Sequence, residues 1–189
     1  MKMLRHALLI ALAFAPASAR SHESPIDHVD RHLRLFAADG RACLAYRLIL
    51  TERAALMELK SMDADGNGTI SAEERDSFFA GKATAIAKQI AVTIDGRTLP
   101  LAPEGSVRCD PQLGQNFLFV APLPQLASGR HPGKLVDGHS RDYPGSFVWK
   151  NRGPAGSEGV RFEPVVPETP LRPNEHPPWL ELEFHAVVP

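Results

Sequence analysis

Little in this chain of 189 residues points to catalysis, to nucleic acid or to a lipid bilayer. No nucleophile motif, no glycine-rich phosphate loop and no Cys/His zinc spacing is present, so the common hydrolytic, nucleotide-dependent and zinc chemistries have no foothold. His131, His139, His176 and His185 are scattered. His139, Ser140 and Asp142 offer hydrolase residue types, but near neighbours in one turn do not converge as a relay, which needs spatial rather than sequential adjacency. The formal charge is only −1, with 21 basic and 22 acidic residues, which leaves no basic field for a polyanion. Aromatics make up 7% of the chain, and Tyr143, Phe147 and Trp149 read as core or interface residues rather than as a sugar platform. The one strongly apolar run, Ala7–Ala15, is less than half the roughly 20 residues that cross a hydrocarbon core. The expectation is a protein that is not an enzyme.

That short run does have a reading. Lys2 and Arg5 precede it, and Ala17-Ser18-Ala19 is a small-x-small cleavage site, so residues 1–19 are expected to be a secretory signal peptide. Residues 20–189 would then be one exported, β-rich domain with no membrane span, in the periplasm or outside the cell. Loss of Lys2 and Arg5 takes the formal charge from −1 to −3. In an oxidising compartment the only two cysteines, Cys43 and Cys109, read as a disulfide; two buried thiols are the other reading. Cleavage after Ala19 also exposes Arg20-Ser21-His22, whose amine, two amides and imidazole make a four-nitrogen plane suited to Ni(II) or Cu(II). An ordinary frayed polar terminus competes with that reading of His22.

The densest chemistry lies in residues 63–74, Asp-Ala-Asp-Gly-Asn-Gly-Thr-Ile-Ser-Ala-Glu-Glu. Asp63, Asp65 and Asn67 fall on alternate residues, and Gly68 occupies the sharp bend where a Cβ would clash. Thr69 offers a backbone carbonyl, Ser71 acts through a water, and Glu74 brings two oxygens. Such a set suits Ca²⁺, a hard dication that takes about six to eight oxygens. Ser71–Glu74 is also a capping box, and a metal-free helix–turn–helix would use it equally well. It would not call for the alternating carboxylates, which repel one another without a cation. The flanks, Thr51–Met62 and Ala72–Ala91, carry helical stripes at Ala55, Leu56, Leu59 and Met62 and at Phe79, Ala83, Ile86 and Ile90. Both stripes read as core packing. Residues 63–74 resemble the EF-hand family at every ligand position. The resemblance implies a helix–loop–helix over 51–91 and a metal site made of Asp63, Asp65, Asn67, Thr69, Ser71 and Glu74. It also implies a partner loop, and no second loop occurs in the sequence, so Ile70 either packs on the main domain or meets a second subunit. A lone site of three carboxylates outside the cytoplasm reads as a structural clasp with an affinity on the order of 10⁻⁵ to 10⁻³ M.

The rest alternates in short runs. His32–Phe36 and Ala42–Leu50 flank an Asp39-Gly40 turn, and Ala91–Ile94 and Thr98–Leu101 flank Asp95-Gly96. Further runs are Ser106–Cys109, Asn116–Ala121, Gly133–Val136, Ser146–Trp149, Val160–Glu163 and Leu180–Val188, with a proline-rich connection over Pro164–Pro178. This pattern predicts an α+β protein: an antiparallel β-sandwich-like domain with an inserted helix–loop–helix. The order of Asp63–Gly68, Ile94-Asp95-Gly96-Arg97 and Tyr143-Pro144-Gly145-Ser146-Phe147-Val148-Trp149 resembles extracytoplasmic domains that accompany nickel/cobalt-type membrane transporters. That resemblance implies an accessory role beside a membrane transporter, handling nickel, cobalt or copper. Without it the expectation is an exported calcium-binding module with a protein partner.

Overall fold

The computed structural model describes residues 29–110, 113–139, 147–149, 159–165 and 180–189. The expected leader, His22, Tyr143, His176 and most of the proline-rich connection lie outside these residues. The described chain is α+β, with two helices and two sheets.

The first hairpin follows from its turn. β1 (Val29–Ala38) and β2 (Arg41–Leu50) are joined by Asp39 and Gly40 at φ 51° and 69°, so both turn residues are left-handed. That geometry matches strand twist, and Asp-Gly tolerates it well. Ala38 therefore faces Arg41, and the alternation puts Leu33, Leu35, Leu44, Tyr46 and Leu48 inside. Asp95 and Gly96 repeat the device at φ 50° and 75° between β3 (Ile90–Ile94) and β4 (Arg97–Thr98).

Two short strands follow, β5 (Ala102–Pro103) and β6 (Arg108–Cys109), and then the long β7 (Gly114–Pro122). β8 (Gly129–Asp137), β9 (Phe147–Trp149), β10 (Arg161–Pro164) and β11 (Leu180–Val188) complete the set. One sheet has the order β5-β7-β2-β1-β9, with β6 also on β7; the other has β10-β11-β8-β3-β4. Every pairing is antiparallel except that of β1 with β9. Pro132 in β8 sits where β3 has already turned away, and its carbonyl accepts from Asp95 N at 2.8 Å, so its missing N–H breaks no ladder. Gly133 is needed for space: a Cβ there would lie 2.2 Å from the ring of Phe184, its opposite neighbour on β11.

Inward residues of both sheets, among them Leu33, Leu44, Ile94, Leu135 and Phe184, belong to one buried cluster. Each such side chain contributes about 1.5–3 kcal/mol by leaving water. Between β2 and β3 run α1 (Glu52–Met62) and α2 (Ala72–Ala87). The helix expected to reach Ala91 stops at Ala87, with Lys88 as its cap, because Ile90 and Val92 pair with β8 and bury their side chains as strand residues.

Two further expectations are overturned. The bridge between Cys43 and Cys109 does not form, and both thiols are free. Cys43 lies opposite Val120 and Cys109 opposite Gln115, on the two sides of β7. Five residues along a strand are about 17 Å, far more than the roughly 7 Å a disulfide spans. The stripe on α1 is not all core either. Met62 is buried, but Leu56 and Leu59 are 65% and 46% exposed, because α1 meets the body chiefly along its Ala54, Ala55, Glu58 and Met62 side.

Candidate metal site

The loop between the helices is ordered by its own polar groups. Thr51 caps α1, its hydroxyl accepting from Ala54 N at 3.2 Å, and Ser71 caps α2, accepting from Glu74 N at 3.2 Å. Gly66 and Gly68 take φ values of 71° and 81°, a left-handed backbone that side-chain-bearing residues rarely adopt. Asp65 accepts from Asn67 N at 3.0 Å and from the Asn67 amide at 2.7 Å. Asn67 accepts from Thr69 N, and Asp63 accepts from Gly68 N, both at 2.8 Å.

Glu74 closes the ring. One carboxylate oxygen accepts from Ala64 N at 2.9 Å and Asp65 N at 3.3 Å; the other accepts from Ser71 N at 2.9 Å and Ser71 Oγ at 2.8 Å. These donors, the Ser71 amide foremost and its hydroxyl next, hold the Glu74 carboxyl below its ordinary pKa. The structure thus realises the capping box, and it also brings Asp63, Asp65 and Glu74 together: one oxygen from each lies within 4.8 Å of the others.

Is that cluster fit for a cation? Its donors are all oxygens, the ligand chemistry of Ca²⁺ and Mg²⁺ rather than of soft metals. Asp63 Oδ1 is shut off from solvent and has no hydrogen-bond partner, although its sister oxygen bonds Gly68 N. A carboxylate oxygen in that position is costly unless something positive meets it. The residues fit an oxygen-ligated dication. Among the remaining residues, Asn67 and Ser71 lie in the same loop with their side chains engaged as above, and Ile70 is 37% exposed.

Two polar clusters escaped sequence reasoning. Lys82 on α2 donates to Glu58 on α1 and, at 2.6 Å, to Gln115 on β7; Gln115 in turn donates to Glu58 at 2.5 Å. Burial lowers the Lys82 pKa, against the pull of Glu58. This triad pins both helices to the first sheet. The second cluster joins the sheets. Asp137, wholly buried at the end of β8, accepts from Tyr46 Oη on β2 and from His139 N, both at 2.8 Å. Arg31 of β1 lies 4.0 Å away and donates to the carbonyls of Val29 and His139, both at 3.1 Å. Burial raises the pKa of Asp137 and that of Tyr46, and it lowers that of His139 to about 4, helped by the Lys82 and Arg31 charges. The one available signal was parity: Arg31 occupies an inward position of an alternating strand.

Comparison with protein-family models, with curated proteins and with solved structures finds no match for this chain.

Proposed function

We propose that this protein is an exported calcium-binding module, acting in the periplasm or outside the cell as an accessory to a protein partner. Its two sheets form a sandwich, and α1, the loop and α2 are an EF-hand-type insertion into it. The ion would be held by Asp63, Asp65, Asn67, Glu74 and the Thr69 carbonyl, with Ser71 in support. Its chemistry there is charge neutralisation: it removes repulsion among three carboxylates and ties the end of α1 to the start of α2. The observation that carries this reading is the convergence of Asp63, Asp65 and Glu74 around the partnerless Asp63 Oδ1.

Titration calorimetry with Ca²⁺ tests it. The expected dissociation constant is on the order of 10⁻⁵ to 10⁻³ M. At tenfold excess over that constant, binding adds about 1.4 kcal/mol of stability, visible as a raised Tm. Glu74→Gln should weaken binding far more than Ser71→Ala, since it removes a charged ligand. Absence of heat and of any Tm shift at millimolar Ca²⁺ overturns the reading. Chelation should lower Tm and free α1 while leaving the sheets folded.

A further inference from the structure

We propose that the outer face of α1 is a self-association surface, on which a second copy of this chain packs its own α1 antiparallel about a two-fold axis. The proposal goes beyond the calcium reading and does not depend on it.

Six large apolar side chains are exposed among the described residues, and three of them, Leu56, Met57 and Leu59, lie on α1 at 65%, 60% and 46%. A fourth, Leu113, lies beside the end of β2 that leads into this helix, its carbonyl accepting from Leu50 N at 3.3 Å. Such concentration on one element marks a contact surface rather than ordinary scatter. The charges say what fits it. Glu52, Leu56 and Lys60 follow one another at i, i+4 and i+8, all exposed, in a single row along the helix. Glu52 and Lys60 are about 12 Å apart along the axis, too far to pair with each other, and neither makes an ion pair with another described residue.

In an antiparallel pair centred on Leu56, that row is self-complementary. Leu56 meets Leu56, and each Glu52 faces the other copy's Lys60. Leu59 and Met57 flank the seam. The helix dipoles oppose one another, and Glu52 in the first turn and Lys60 in the last already suit them. An isologous contact of this kind closes on itself as a dimer. One short helix per copy falls at the small end of protein interfaces, so the dimer is weak, with a dissociation constant on the order of 10⁻⁵ to 10⁻³ M.

The test is sedimentation of the full chain from about micromolar to about millimolar concentration. Wild type should shift from monomer to dimer, and Leu56→Glu should raise the dissociation constant about 100-fold or more. Glu52→Lys and Lys60→Glu should each weaken association about tenfold. Mixing those two single variants should restore it, because every cation then faces an anion; so should combining both changes in one chain. Circular dichroism and Tm verify that the variants fold. A monomer at every concentration overturns the proposal and leaves the stripe to a different protein. Single variants that dissociate without rescue on mixing also overturn it.

Discussion

The two-sheet body and helix α1 are stabilised in opposite ways. In the body the inward residues of β1, β2, β3, β7, β8 and β11 enclose one another, and the polar group buried where the sheets meet, Asp137, is held by Tyr46 Oη and the His139 amide with Arg31 4.0 Å away. On α1 only Met62 is buried, while Leu56, Met57 and Leu59 face outward. That helix is held by a cap at Thr51, by the Glu58–Lys82–Gln115 triad and by the carboxylate ring of the loop. Apolar burial is indifferent to ions. Polar and ionic ties respond to them. Removal of one charged side chain, or of the cation proposed above, should therefore loosen α1 long before it touches the sheets.

The largest effect should come from the body. Asp137→Ala strands Arg31 and Tyr46 in the interior and should cost about 3–5 kcal/mol in urea denaturation, as one global transition. A loss below about 1 kcal/mol would mean that the sheets do not rely on this node. Next comes the triad. Lys82→Ala leaves Glu58 and Gln115 short of a donor and should cost about 1–3 kcal/mol. Its signature is local: amide exchange in α1 quickens while that of β2 stays unchanged. Equal acceleration in both would erase the distinction between the two regions. Smaller still is the cap, where Ser71→Ala should cost about 1 kcal/mol, again read from α2 amides rather than from β7.

The smallest effect is one of pH. His131 Nδ1 lies 2.7 Å from Asp95 and Nε2 lies 2.8 Å from the Ala127 carbonyl, so both ring nitrogens face acceptors. The carbonyl, and then the carboxylate, raise its pKa above 6.5. The charged ring therefore adds stability that is complete below 6.5 and fades as pH rises through the folded value. His139 works at the other end. Burial lowers its pKa, so the stability it lends is present above 6.5 and is lost as pH falls through about 4. His131→Gln should flatten the alkaline arm of a Tm profile and leave the acid arm unchanged. Loss of both arms together would show that the two histidines are not independent.

Much of the local order was legible in the chain. Asp39-Gly40 and Asp95-Gly96 set two hairpin registers, because those residue pairs accept left-handed backbone and few others do. The spacing of Asp63, Asp65 and Glu74, with glycines between, determines that three carboxylates can gather in one loop, since every contact there spans at most 11 residues. The apolar stripe of α2 was equally plain, and Phe79, Ala83 and Ile86 are buried.

What the sequence could not supply were distances between residues far apart in it. Cys43 and Cys109 looked like partners until β7 came between them. Leu56 and Leu59 share periodicity with Met62, and periodicity marks a face without saying what covers it. The meeting of Tyr46 with Asp137 spans 91 positions, and that of Lys82 with Gln115 spans 33. Local conformation is set by short-range sterics and hydrogen bonds that the neighbouring residues carry themselves. Which side chains share a node, and which helix face stays wet, was decided only when the sheets and helices packed.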